Sequence, residues 1–126
     1  MQRRSETLRA LGTLAVGAWL GLAQAQDTAR LPDDDVLELA VEQHTQGHPW
    51  QAEALLRGLA QAGNVVAMER LALMHWYGPV LYPQEAWSRT LATTWFERAA
   101  ERGSVLGRHM AKVALASASS AQAARR

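Results

Sequence analysis

Apolar residues along this chain recur at helical spacing, and no stretch sustains the alternation of apolar and polar positions that marks a half-buried strand. The spacing predicts five helices. The first starts after Pro32, with Asp33 as a cap, Asp34 and Asp35 in the first turn, and Val36, Leu39, Ala40 and Gln43 on one face until Gly47 ends it. Pro49 suits the opening turn of a second helix, whose stripe is Ala52, Leu55, Leu56 and Leu59 and whose stop is Gly63. Asn64 caps the third, with Ala67, Leu71, Met74 and His75 inward, and Gly78-Pro79 is expected to break it ahead of a loop through Pro83. Leu91, Ala92, Trp95, Phe96, Ala99 and Ala100 form two adjacent ridges of a fourth helix closed by Gly103. Ser104 caps a fifth with Leu106, Met110 and Val113 on one side. From Ser117 to Arg126 large apolar residues are missing, so residues 117–126 are expected to be a disordered tail.

The pattern ahead of Pro32 is of another kind. Arg3, Arg4 and Arg9 precede an uncharged, mostly apolar run from Ala10 to Ala25 that ends in Ala23-Gln24-Ala25, the layout of an export signal with a small-residue cleavage site. A membrane-spanning helix needs about 20 apolar residues, more than this run offers, and Gly12, Gly17 and Gly21 interrupt it. Ser5, Glu6 and Thr7 stand where a twin-arginine signal wants bulky apolar residues, which favours general secretion. The expected organisation is a signal peptide over 1–25, a linker over 26–32, a helical domain over 33–116 and the tail. The expected product is periplasmic or secreted and has no stable membrane span.

Charge and composition narrow the picture. Cleavage removes three Arg and one Glu, which takes the formal charge from +1 to −1, so nothing favours nucleic acid as a partner. With no cysteine there is no disulfide framework, thiolate metal site or lipid-modified cysteine, and core packing has to hold the fold. Acids crowd the region before residue 57 and bases the region after it, giving an acidic front and a basic back.

Helix ends repeat at a fixed interval: Gly63 to Gly103 is a period of 40 residues, and Ala52, Leu56, Ala60 and Asn64 map onto Ala92, Phe96, Ala100 and Ser104. A short helix pair cannot bury its apolar face alone, so such pairs stack on neighbours.

Residues 67–103 resemble the Sel-1-like repeat, a relative of the tetratricopeptide repeat, with the pattern A-x-x-x-L-G-x-x-Y-x-x-G, a loop, then A-x-x-W-x-x-x-A-A-x-x-G. Ala67, Leu71 and Gly78, then Ala92, Trp95, Ala99, Ala100 and Gly103, match it, while Ala72 replaces a glycine and His75 a tyrosine. The loop departs more, being about four residues longer than in that family and lacking its second glycine and its aspartate. The resemblance implies an all-α fold, a short α-solenoid of antiparallel helix pairs that mediates protein contacts. It implies no chemistry, because the shared residues are packing residues.

Trp76, Tyr77, Tyr82 and Trp87 crowd the departing loop, and large rigid aromatics favour partner contacts. Trp76 and Trp87 could instead fold inward and plug the end of a small core, and Tyr82 is the ring expected to be most exposed. His44 and His48 lie near Glu42, but Gly47 and Pro49 deny the two imidazoles a shared helix face, so no metal site is expected. His75 and His109 fall on faces expected to pack. No serine has a nucleophile-elbow setting and no glycine-rich phosphate cradle follows a strand, so neither enzyme activity nor a cofactor is expected. Glu97 and Glu101 interleave with Arg98 and Arg102 as a solvated, ion-paired surface.

The expected function is therefore a scaffold or adaptor for a protein or peptide partner. The alternative is an envelope accessory that takes a cell-wall or small-molecule ligand on the aromatic loop. Unfilled solenoid ends are also compatible with a homo-oligomer.

Overall fold

The computed structural model describes residues 30–83 and 86–126; the expected signal peptide and all of the linker before Arg30 lie outside them. Five helices follow in order: α1 (Asp33–Thr45), α2 (Pro49–Gln61), α3 (Val65–Leu81), α4 (Arg89–Glu101) and α5 (Val105–Ala124). The fold is all-α, with no strand among the described residues. None of these helices is long and apolar enough to cross a membrane.

One turn is used three times. Gly47, Gly63 and Gly103 all sit at positive φ, the left-handed region that costs a residue with a Cβ about 1–2 kcal/mol. At each, the glycine N–H donates three residues back and the next N–H donates five back, as in Gly63 to Ala60 and Asn64 to Leu59, which satisfies two otherwise orphaned carbonyls. The residue after each glycine, His48, Asn64 or Ser104, is already the N-cap of the next helix. Asn64 and Ser104 accept from the N–H of Ala67 and Gly107, while His48 makes no such bond and leaves the start of α2 to Pro49.

Extended contacts are all between consecutive helices: α1 with α2, α2 with α3, α3 with α4 and α4 with α5. The helices share one core that runs from Leu37 and Ala40 through Ala52, Leu56, Leu71 and Phe96 to Met110 and Ala114. α3 is apolar nearly all round because both of its sides are covered, by α2 and α4. Small residues let the backbones come close: a Cβ on Gly107 would lie 2.7 Å from the Phe96 carbonyl oxygen.

Three expectations change. Gly78-Pro79 does not break α3, which runs on to Leu81; Pro79 stands in the last turn, where Tyr82 N–H still reaches the Gly78 carbonyl at 2.7 Å. The disordered tail is instead helix to Ala124, because alanine favours helix and the hydroxyls of Ser117, Ser119 and Ser120 return bonds to carbonyls four residues back. Finally, α1 is rotated from the expected face: Leu37 and Ala40 are its buried residues, with Val36 and Leu39 only partly covered.

Candidate functional site

The four loop aromatics do not share a surface. Trp76 is buried in α3, edge-on to Phe96 with ring centroids 6.3 Å apart, and the Arg89 guanidinium covers its ring at 4.7 Å. Trp87 stacks on Trp50 of α2 with centroids 4.8 Å apart and planes 6° from parallel, meets the His75 ring edge at 5.4 Å, and donates from Nε1 to the Tyr82 carbonyl at 3.2 Å. Trp76 takes the inward alternative, whereas Trp87 is half-buried against Trp50, itself 37% exposed. Gly78 makes the arrangement possible, since a Cβ there would fall 2.2 Å from the Trp87 ring.

Tyr82 is half-buried rather than the most exposed: its hydroxyl lies 3.4 Å from His44 Nε2, and its ring meets that of His44 at 5.7 Å. Tyr77 is the exposed ring, at 49%. It shares a face of α3 with Val66, Arg70 and Leu73, at helical spacings of four, three and four residues.

Beneath the stack lies a buried polar pair. Glu53 and His75 are both enclosed, with Oε1 3.3 Å from Nε2, and the other Glu53 oxygen accepts from Arg57 Nη2 at 2.8 Å. The backbone N–H of Ser88 points at His75 Nδ1, 3.3 Å away. A backbone N–H can only donate, so Nδ1 accepts and the proton sits on Nε2, facing Glu53. Every partner is used: no buried side-chain nitrogen or oxygen among the described residues lacks one.

Ser88, His75 and Glu53 thus stand in the order of a hydrolytic triad, but the geometry is not one. Ser88 Oγ caps α4 by accepting from Leu91 N–H at 3.1 Å, and the imidazole receives the serine amide instead of its hydroxyl. The trio ties α2, α3 and the start of α4 together. Among the described residues no group of histidine, cysteine or carboxylate side chains is arranged to hold a metal ion. His109 is exposed on α5 instead of packed.

The repeat-motif positions take the core. Ala67, Leu71, Ala72, Ala92 and Ala99 are fully enclosed, Trp95 and Gly78 are buried, Ala100 is partly covered, and Gly103 provides the positive-φ turn. Sequence reasoning missed Trp50 and Glu53. Glu53 had a readable signal: it falls on the inward stripe Pro49, Ala52, Leu56 and Ala60, where a carboxylate needs a buried partner.

Acids of α1 and α3 link successive odd-numbered helices. Asp33 accepts from the Asn64 side chain at 3.1 Å, and Ser104 Oγ donates to Glu69. In each case the partner is the N-cap of the next odd-numbered helix, so the cap is held from both sides. No family model, curated protein or solved structure matches the chain.

Proposed function

We propose that the chain is an exported Sel-1-like α-solenoid, periplasmic or secreted, that serves as a scaffold for a protein or peptide partner and catalyses no reaction. The observation that carries this reading is the repeated turn. Three glycine-closed helix ends each pass directly into the next N-cap, and each helix has extended contacts only with its neighbours in sequence, which is how repeat stacks bury their apolar faces. The packing roles of the motif residues agree with it, and Ser88, beside His75 and Glu53, caps α4 with its hydroxyl.

The contact surface we assign is the α3 face carrying Val66, Arg70, Leu73 and Tyr77, because Trp76 and Trp87 are spent on internal packing. The same packing weakens the reading of the loop as a cell-wall or small-molecule site. Affinity capture from envelope extracts, with the purified chain as bait, tests the proposal. A specific protein retained by the chain and lost with Tyr77→Ala/Leu73→Ala, at unchanged helical circular dichroism, is the expected result. A tryptophan fluorescence shift on titration with peptidoglycan fragments, with no protein captured, would sink it.

A further inference from the structure

The two outermost described helices carry opposite charges on faces that no other described helix covers. α1 holds Asp33, Asp34, Asp35, Glu38 and Glu42 and no Lys or Arg; α5 holds Arg108 and Lys112 and no acid, with Arg125 and Arg126 directly after it. None of Asp34, Glu38, Glu42, Arg108 and Lys112 forms a salt bridge with a described residue. Each of the two helices has extended contacts with one neighbour only, α2 or α4.

Both faces are also partly apolar. Beside α1 runs an open groove of about 600 Å³, lined by Asp34, Leu37, Glu38, Val41, Glu42, Thr45 and Arg70. Val41 is 48% exposed there, and three carboxylates face a single guanidinium, itself 3.5 Å from the Leu37 carbonyl. On α5, Gly107, Met110 and Ala114 turn to the core. Val105, Arg108, Lys112 and Leu115, spaced three, four and three residues apart, form a different stripe, in which Val105 is 71% and Leu115 70% exposed. Helix α5 therefore presents two cations between two apolar side chains, which matches carboxylates set around the exposed Val41.

We propose that the acidic groove along α1 takes helix α5 of a second copy of this chain, so that copies add head to tail. The contact uses two different surfaces of the same molecule, so it does not close on itself as a two-fold dimer does, and it continues into a ring or a filament. Carboxylates meet Arg108 and Lys112 while Val105 and Leu115 flank the exposed Val41. The groove shares Arg70 with the α3 face, whereas Glu38, Glu42, Arg108 and Lys112 lie outside that face, so assembly and partner binding can be tested separately.

Sedimentation of the chain, purified in the form in which cells accumulate it, tests the proposal, using two charge-reversed variants, Glu38→Lys/Glu42→Lys on α1 and Arg108→Glu/Lys112→Glu on α5. Mass should rise with concentration at low salt, and association should weaken at least tenfold on going from about 0.05 to about 0.5 M salt. Each variant alone should stay a single chain with unchanged helical circular dichroism. Mixing them should restore assembly, since the reversed charges at 38 and 42 of one then face the reversed charges at 108 and 112 of the other. The proposal is overturned if the unaltered chain stays single at low salt, if either variant assembles as the unaltered chain does, or if the mixture stays single.

Discussion

The indole of Trp87 lies parallel to that of Trp50, 4.8 Å between centroids, and rests where a Cβ on residue 78 would have to be. The stack closes the end of the helix pair α2 and α3, and its geometry depends on a glycine inside α3.

That dependence can be read in a double-mutant cycle. Gly78→Ala should cost about 2 kcal/mol by displacing the Trp87 ring, and Trp87→Ala about 2–3 kcal/mol by emptying the slot. With Trp87 already removed, alanine at 78 should instead stabilise by up to about 1 kcal/mol, because alanine is the better helix former. Urea unfolding of the four proteins measures it, and additive losses would show that the two residues do not meet.

Glu53 gives a graded test of the buried pair. Glu53→Ala leaves the His75 Nε2–H without an acceptor in an enclosed site and should cost about 2–3 kcal/mol. Glu53→Gln keeps an oxygen in reach and should cost about half as much. Equal losses for the two variants would mean that packing volume, not the hydrogen bond, is what Glu53 supplies.

How much of this was legible beforehand depends on the physical range of each signal. Helix ends were readable because a positive-φ turn needs glycine, and Gly47, Gly63 and Gly103 stand where chain direction changes. Gly78-Pro79 carried a similar signal and misled, because proline near the last turn of α3 costs little when Tyr82 still bonds to Gly78. The tail misled for the opposite reason: without large apolar residues it has nothing to bury, yet alanine-rich sequence propagates a helix that α4 has already nucleated through Met110 and Ala114. The aromatic cluster was seen in part. Trp76, Tyr82 and Trp87 were found by proximity in sequence, whereas their partners Phe96, His44 and Trp50 lie 20 to 38 residues away, where only tertiary packing brings them in.

Two glycines should respond with opposite signs to one substitution. Gly58 lies within α2 with open space around its Cβ position, so Gly58→Ala should stabilise by about 0.5–1 kcal/mol. Gly103 also has open space, but its φ is +94°, so Gly103→Ala should destabilise by about 1 kcal/mol through the backbone alone. Thermal melts separate the two, and a gain at 103 would contradict the left-handed turn.

The approach of α5 to α4 is limited by backbone rather than side chain. A Cβ on Gly107 would meet the Phe96 carbonyl oxygen at 2.7 Å and the Ala100 amide nitrogen at 2.8 Å, neither of which can swing aside. Gly107→Ala should therefore cost about 2–3 kcal/mol despite alanine's better helix propensity, and the loss should show as faster hydrogen exchange along α5. Slower exchange there would mean that the helices have room to spare.

The short sequence range of the contacts, between consecutive helices and between alternate ones, also bears on how the chain folds. Asp33 with Asn64, Glu69 with Ser104 and His44 with Tyr82 bridge only 31 to 38 positions, so little loop-closure entropy is spent before contacts begin to repay it. Low contact order of this kind goes with folding in microseconds to milliseconds, and each helix can dock on the one before it as soon as it emerges.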